Sequence, residues 1–185
     1  MSELNKIALK ILSNGKGILA ADESNGTMTK RLDSVNIESS PETRLLFRET
    51  LFAAKSMKDC IGGVILYDET INQTSNLGKT IPSMISETGA VPGIKVDTGA
   101  KDLANSLDEK VTEGLDGLRE RLKRYYDLGA SFAKWRGVYN IGEKYPSKLA
   151  INSNAHALAR YSALVQECGM VPIVEPEVLM DGEHS

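Results

Sequence analysis

Five short apolar runs, each bounded by turn-forming residues, constrain the fold of this chain more than any other feature of its sequence. They occupy residues 17–21, 63–67, 91–96, 131–135 and 170–174. A short, continuous apolar run between turns is typical of a strand that is covered on both faces, as in a parallel sheet. We therefore predict five buried β-strands.

Helical patterns separate these runs. The first segment has apolar residues at helical spacing from Leu4 to Leu12 and is predicted to form an amphipathic helix that ends at Asn14-Gly15. Further helices are predicted over residues 41–55, 118–128 and 155–168. Strands that alternate with helices indicate a parallel sheet with crossover helices. Five such units fit either an open doubly wound sheet or part of an eight-stranded barrel, which takes about 250 residues.

Charge and composition exclude several classes of function. The 185 residues carry a formal net charge of -3, and their basic residues are scattered, so we expect no nucleic-acid partner. No run approaches the roughly 18 apolar residues of a membrane span, and the first residues do not resemble a signal peptide. We therefore expect a cytoplasmic protein without a membrane partner.

Cysteine and histidine are too few and too scattered for a metal centre. Cys60 and Cys168 match no metal or redox spacing and are expected to be reduced, buried side chains. With His156 and His184 as its two histidines, the chain cannot build a three-histidine zinc site. We expect no metal and no cofactor, and we assign His156 to the helix that it opens.

Polar side chains follow each of the five apolar runs, where parallel α/β folds gather their functional groups. In chain order these residues are Asp22, Glu23, Ser24, Asp68, Glu69, Lys95, Asp97, Lys134, Arg136, Glu175 and Glu177. A single polar strand end is usually a solvated residue or a helix cap. Polar residues at five successive strand ends predict one shared site.

Two lysines, Lys95 and Lys134, stand inside apolar runs, where an unpaired ammonium group is costly. Three roles fit such a lysine. It can contact a phosphate, form an ion pair with a carboxylate such as Asp22 or Glu175, or act as an imine-forming nucleophile. The sequence does not rank these roles.

The segment Glu175-Pro176-Glu177 is predicted to be extended, which places both carboxylates on the same side of the chain. Such a pair suits general acid/base chemistry, with one member protonated and the other ionised. A salt bridge from Glu175 to Lys134 fits equally well.

Hydroxyl and arginine side chains near the first strand are candidate anion contacts. The segment from Ser24 to Thr27 can hold a phosphate but also suits a helix cap. Arg31 and Arg44 are either anion contacts or solvated surface residues.

Seven blocks of this sequence, taken in order, resemble class I fructose-bisphosphate aldolases. They are GILAADES (17–24), CIGGVILYDET (60–70), GIKVD (93–97), GLDGLRER (114–121), FAKWRGV (132–138), LARY (158–161) and VPIVEPEVLMDGEH (171–184). The resemblance implies an α/β fold, the (β/α)₈ TIM barrel. Residues 1–185 would be the N-terminal portion of a single barrel domain, with about its first five strand-helix units.

The same resemblance implies reversible cleavage of fructose 1,6-bisphosphate to dihydroxyacetone phosphate and glyceraldehyde 3-phosphate, in glycolysis and gluconeogenesis. The family needs no metal for this reaction and is usually a homotetramer. The implied catalytic residues are Asp22, Lys134, Glu175 and Glu177. The implied substrate-binding and phosphate-binding residues are Ser24, Thr27, Arg31, Arg44, Lys95 and Arg136. Thr27 stands where relatives usually have serine, and it keeps the hydroxyl.

By the same resemblance, the imine-forming lysine and the groups for the second phosphate are expected beyond position 185. Two interpretations remain open. Residues 1–185 are part of a working aldolase, or they are a catalytically incomplete fragment that binds at most a phosphorylated sugar or a protein.

Overall fold

The computed structural model describes residues 2–106 and 108–184. In chain order, the strands of these residues are β1 (Gly17–Ala21), β2 (Ile61–Leu66), β3 (Val91–Lys95), β4 (Ala100–Asp102), β5 (Lys110–Thr112), β6 (Phe132–Tyr139) and β7 (Val171–Val178). The five predicted buried strands are confirmed as β1, β2, β3, β6 and β7. The sequence gives no apolar run at β4 or β5, because these strands have three residues each and form a separate antiparallel hairpin.

The five long strands pair in parallel and in the order in which they occur along the chain, β1-β2-β3-β6-β7. A doubly wound sheet would reverse its strand order at a switch point, and this sheet does not. The strands curl into half of a barrel with helices outside. This topology confirms the (β/α)₈ interpretation and excludes the open doubly wound sheet.

The helices of the described residues are α1 (Glu3–Ile11), α2 (Asn25–Asp33), α3 (Pro41–Phe52), α4 (Met57–Cys60), α5 (Asp68–Ile71), α6 (Ile81–Glu87), α7 (Leu118–Asp127) and α8 (Lys148–Glu167). The predictions for α1, α3 and α7 are confirmed within three residues at each end. Four helices (α2, α4, α5 and α6) are absent from the sequence-based prediction. Helices α4 and α5 have four residues each and α6 has seven, and α2 buries only Met28 and Leu32.

Predicted boundaries of one helix and two strands are wrong. Helix α8 begins at Lys148 rather than at residue 155, because the Ser147 side chain caps it by accepting a hydrogen bond from the amide of Ala150. His156 therefore lies inside the helix and does not open it. Strands β6 and β7 continue to Tyr139 and Val178, past the predicted ends of their apolar runs, because charged side chains occupy their later positions.

The two faces of the sheet have different environments. Outward-facing side chains such as Val64, Leu66 and Trp135 form the main core under the helices. On the inner face, Ile65 and Phe132 join Ile11 of α1 in a second apolar cluster at the N-terminal end of the strands. The charged inner side chains of β6 and β7 lie at the opposite, carboxyl end.

Glycines make the close packing of the inner cluster possible. A Cβ atom at Gly62 would lie 1.8 Å from the carbonyl oxygen of Ile11, and one at Gly93 would lie 2.3 Å from the ring of Phe132. Only a residue without a Cβ lets α1 rest on β2 at this distance.

Both cysteines have free thiols, but Cys60 is exposed and Cys168 is half-buried, so the expectation that both are buried is wrong. Cys60 ends the four-residue helix α4, outside the sheet. Among residues 2–106 and 108–184, no helix is long and apolar enough to cross a membrane. The same residues contain no group of three or more His, Cys, Asp or Glu side chains positioned to hold a metal ion.

Candidate active site

A cavity of about 690 Å³ opens at the carboxyl ends of the parallel strands. Ten of the residues singled out in the sequence line it: Asp22, Glu23, Ser24, Thr27, Arg31, Asp68, Lys95, Asp97, Lys134 and Arg136. They come from segments that are far apart in the chain. The parallel sheet brings them together, since each follows or ends a neighbouring strand.

Lys134 lies between two carboxylates. Its Nζ atom is 3.2 Å from Oδ2 of Asp22 and 3.0 Å from Oε2 of Glu175, and its side chain is only 12% exposed. Burial alone would lower the pKa of Lys134, but the charges and hydrogen bonds of Asp22 and Glu175 outweigh it, so the pKa is raised. Of the three roles open to a buried lysine, the geometry favours the ion pair.

Lys95 is held in a different way. Its ammonium group donates a hydrogen bond to the backbone carbonyl of Asp22 at 2.5 Å and lies 5.1 Å from the centre of the Tyr67 ring. The Asp22 carboxylate is further away, at 4.0 Å. Burial lowers the pKa of Lys95, and the charges of Asp22 and Asp97 oppose this change. A cation that has no close carboxylate partner retains the capacity to pair with an incoming phosphate.

Asp97 is a further ionisable group at the cavity. Its carboxylate accepts a hydrogen bond from the amide of Gly99 at 3.1 Å, and the amide of Arg136 lies 3.5 Å away. Burial raises the pKa of Asp97, while the charge of Lys95 and the backbone hydrogen bonds oppose the rise. In the sequence it stands out only as a polar strand end.

Glu175 and Glu177 lie on the same side of β7, as the extended segment predicts. Glu175 contacts Lys134 at 3.0 Å, and Glu177 contacts Arg136 at 3.0 Å. Neither carboxylate is part of the cavity lining. They lie beside the cavity, and each pairs with a β6 cation that lines it, Lys134 or Arg136.

Ser24 is the N-cap of α2. Its Oγ atom accepts a hydrogen bond from the amide of Thr27 at 3.3 Å and lies 3.1 Å from the Thr27 hydroxyl. Both residues also line the cavity, so the helix begins with its N-terminus at this wall. Helix N-termini attract anions, and the capping role therefore does not exclude phosphate binding.

The two candidate arginines occupy different environments. Arg31 lines the cavity, is 57% exposed and pairs with Glu23 at 2.6 Å. Arg44 does not line the cavity. It is buried and donates two hydrogen bonds to Glu69, from Nε at 2.8 Å and from Nη2 at 2.5 Å. The hydrogen bonds that Arg44 donates to Glu69 raise the pKa of Arg44 and lower the pKa of Glu69.

Sequence reasoning missed part of the cavity wall. Helix α7 contributes Arg121, Arg124 and Tyr125, although it follows none of the buried strands directly. Asp68 accepts hydrogen bonds from Arg124 at 2.6 Å and from the hydroxyl of Tyr125 at 2.8 Å. The positions of the strand ends do not point to α7, because the β4-β5 hairpin separates this helix from β3.

Comparisons with known proteins agree with this architecture. The family described as "Fructose-bisphosphate aldolase class-I" matches residues 3–185. The "Probable fructose-bisphosphate aldolase class 1" of Xylella fastidiosa is 54% identical over 184 residues, which are 100% of this chain and 55% of that protein. "Fructose-bisphosphate aldolase 6, cytosolic" of Arabidopsis thaliana is 52% identical over 98% of this chain and 51% of its own length.

A solved structure gives the same result at the level of the fold. The fructose-bisphosphate aldolase from Plasmodium falciparum, crystallised with TRAP and a small-molecule inhibitor, superposes with a TM-score of 0.96 at 45% sequence identity. The match covers 99% of this chain and 53% of that one. The chain thus spans about half the length of the relatives that it matches.

Proposed function

This chain belongs to the class I fructose-bisphosphate aldolase family, and we propose that it supplies the first five strand-helix units of a single aldolase barrel domain. In this proposal it contributes the acid/base groups and one phosphate-binding wall for the reversible cleavage of fructose 1,6-bisphosphate to dihydroxyacetone phosphate and glyceraldehyde 3-phosphate. The observation that carries the proposal is the position of Lys134 between Asp22 and Glu175 at the cavity.

The acid/base part of the proposal rests on that cluster. Asp22 and Glu175 lie within 3.2 Å of the same ammonium group, so protons can pass among the three groups without long movements. We assign Asp22 to proton transfer around the carbinolamine and Glu175 to general acid/base catalysis. Lys134 keeps both carboxylates in place and contacts the substrate, and Glu177 orients Arg136 at 3.0 Å.

The phosphate-binding part rests on the charge and shape of the cavity. Of the described residues that line it, six are basic and four are acidic, an excess of positive charge that suits a phosphorylated sugar. We assign one phosphate to the wall made by Ser24, Thr27 and Lys95, with Arg31 and Arg136 as further substrate contacts. Arg44 lies outside the lining, so we propose that it acts through Glu69 and not by direct contact.

The imine-forming lysine has to be an unprotonated amine when it attacks the ketose. Lys134 does not meet this requirement, since its two carboxylates raise its pKa. Lys95 has a lowered pKa, but its ammonium group already donates to the carbonyl of Asp22. We therefore propose that the nucleophile lies outside residues 1–185, and we assign neither lysine to that role.

The finding that neither Lys95 nor Lys134 suits the role of nucleophile supports a second candidate function. If residues 1–185 act alone, the described cavity offers anion-binding groups and acid/base groups without an assigned nucleophile. Such a chain would bind a phosphorylated sugar or a protein and would not cleave a carbon-carbon bond.

Assembly and location follow the family in this proposal. We expect a homotetramer for the full-length protein and a cytoplasmic location, in line with the word "cytosolic" in the name of the Arabidopsis relative. We expect fructose 1,6-bisphosphate and the triose phosphates as partners, without a metal or cofactor.

Intact mass spectrometry after borohydride reduction, with and without dihydroxyacetone phosphate, tests both candidates. A polypeptide heavier than 20.1 kDa that carries a trapped adduct supports the aldolase with its nucleophile outside residues 1–185. An unmodified chain of 20.1 kDa supports the binding function. An adduct on the 20.1 kDa chain, mapped to Lys95 or Lys134, would overturn the placement of the nucleophile.

A further inference from the structure

Arg48 of α3 is a fully buried cation with few close partners. Its Nη2 atom donates a hydrogen bond to the backbone carbonyl of Glu23 at 2.6 Å. Its Nε and Nη1 atoms have no hydrogen-bond partner among the described residues. The nearest carboxylate oxygens, on Glu23 and Glu69, are each 4.0 Å away. Burial lowers the pKa of Arg48, and both carboxylates oppose this change.

A buried charge in such an arrangement is poor at stabilising a fold. The cost of desolvating a buried guanidinium group can exceed the attraction of carboxylates 4.0 Å away, and apolar residues of similar size often stabilise such a position. The position of Arg48 therefore calls for a role beyond packing.

Arg48 lies behind the segment that forms one wall of the cavity. The carbonyl that it holds belongs to Glu23, between the cavity residues Asp22 and Ser24. The preceding carbonyl, of Asp22, accepts a hydrogen bond from Lys95. Two cations thus hold two consecutive carbonyls at the point where β1 ends and α2 begins.

The two carboxylates near Arg48 also contact other residues of this wall. Glu23 pairs with Arg31 at 2.6 Å, and Glu69 accepts a hydrogen bond from the side chain of Asn25 at 3.2 Å. Glu69 is also held by Arg44. The guanidinium of Arg48 lies 4.0 Å from a carboxylate oxygen of each residue and thus links the two by charge.

We propose that Arg48 is a positioning residue that sets the geometry of the segment from Asp22 to Thr27, and with it the anion-binding wall of the cavity. The effect of Arg48 on substrate binding rests on the proposed function. Its effect on the geometry of the segment from Asp22 to Thr27 does not depend on that function.

The test compares two variants of α3. Arg48→Met keeps the length of the side chain and removes its charge. Glu49→Gln is the matched control, because Glu49 is its neighbour on the same helix, is also buried, and holds Asn76 of a different loop by hydrogen bonds at 3.2 and 3.1 Å. Arg48→Lys is the conservative variant, which keeps the charge and can still donate to the Glu23 carbonyl.

Two readouts are measured on the 185-residue chain. Amide hydrogen exchange should rise in residues 22–31 for Arg48→Met and in residues 75–79 for Glu49→Gln. The affinity for fructose 1,6-bisphosphate, followed by NMR titration, should fall at least about tenfold for Arg48→Met and remain unchanged for Glu49→Gln, because a small displacement of positioned groups is costly. Arg48→Lys should restore most of the affinity.

Each outcome decides the inference. If exchange in residues 22–31 does not change in a folded Arg48→Met variant, or if both variants lose affinity equally, Arg48 is a structural residue only. If the unaltered chain does not bind fructose 1,6-bisphosphate, the proposed function fails, while the contrast in exchange still decides whether Arg48 positions the segment.

Discussion

Arg136 faces Glu175 across the β6-β7 ladder, but its guanidinium pairs with Glu177, two residues further along β7, at 3.0 Å. Lys134 shows the same offset. It faces Ile173 and pairs with Glu175. Both cations therefore lean toward the carboxyl end of the sheet, where the cavity lies, and each carboxylate receives one cation of its own.

Replacing Lys134 by methionine should destabilise the fold, because Asp22 and Glu175 would be left beside the cavity without a close cation. Loss of one member of a buried ion pair typically costs about 3 kcal/mol in free energy of unfolding. Urea denaturation measures this change. Arg119→Met is the control, since Arg119 forms an exposed pair with Glu167 and should cost less than about 1 kcal/mol. Equal losses in the two variants would contradict the buried ion pair.

The pH dependence of stability should distinguish Lys134 from Lys95. The folded-state pKa of Lys134 is raised above its ordinary value of 10.5. Its ionised form therefore stabilises the fold below pH 10.5, and this contribution is lost as the pH rises through the folded-state pKa. The stability difference between the unaltered chain and Lys134→Met should shrink above pH 10.5.

Lys95 should show the opposite trend, because its folded-state pKa lies below 10.5. Folding then releases protons, and the stability of the unaltered chain relative to Lys95→Met should rise as the pH increases toward 10.5. Urea denaturation of the three proteins between pH 7 and pH 11 checks both trends. If the stability difference from the unaltered chain changes with pH in the same way for both lysine variants, the environments of Lys134 and Lys95 do not differ as described.

Lys95 should also matter for anion binding. Replacement by methionine removes a charged donor from the cavity wall and should weaken binding of fructose 1,6-bisphosphate by about tenfold, which corresponds to about 1.4 kcal/mol. Isothermal titration calorimetry measures the affinity. Lys55→Met provides the control, because Lys55 is an exposed lysine outside the cavity lining. Unchanged affinity in Lys95→Met would remove this residue from the phosphate-binding set.

Gly62 should tolerate no side chain. A Cβ atom there would lie 1.8 Å from the carbonyl oxygen of Ile11, so Gly62→Ala must displace α1 or β2 and should cost about 3 kcal/mol. Thermal unfolding and amide exchange in α1 report the effect. Gly17→Ala is the control, since a Cβ at Gly17 meets no atom within 4 Å. A stable Gly62→Ala variant with protected α1 amides would disprove the close contact.

The order of elements could be predicted because apolar runs and helical spacing are local properties. Strands β1, β2 and β3 were recoverable from runs bounded by turns, whereas β6 and β7 continue past their apolar runs. Their later residues, such as Arg136 and Glu177, are charged because they lie at or beside the cavity, and a charged stretch lacks the apolar run by which the other strands were recognised. The short helices α4 and α5 likewise lack enough turns to show a period.

The alternation of strands and helices, the resemblance to class I aldolases and the polar residues at the strand ends could all be predicted from the amino-acid sequence. Which of these polar residues meet became known from the three-dimensional fold. It placed Lys134 between Asp22 and Glu175, removed Arg44 from the cavity lining, and brought in Arg48 and α7. Ion pairs depend on distances between atoms in space, and Asp22 and Lys134 are 112 positions apart in the chain, a relationship that local sequence patterns do not encode.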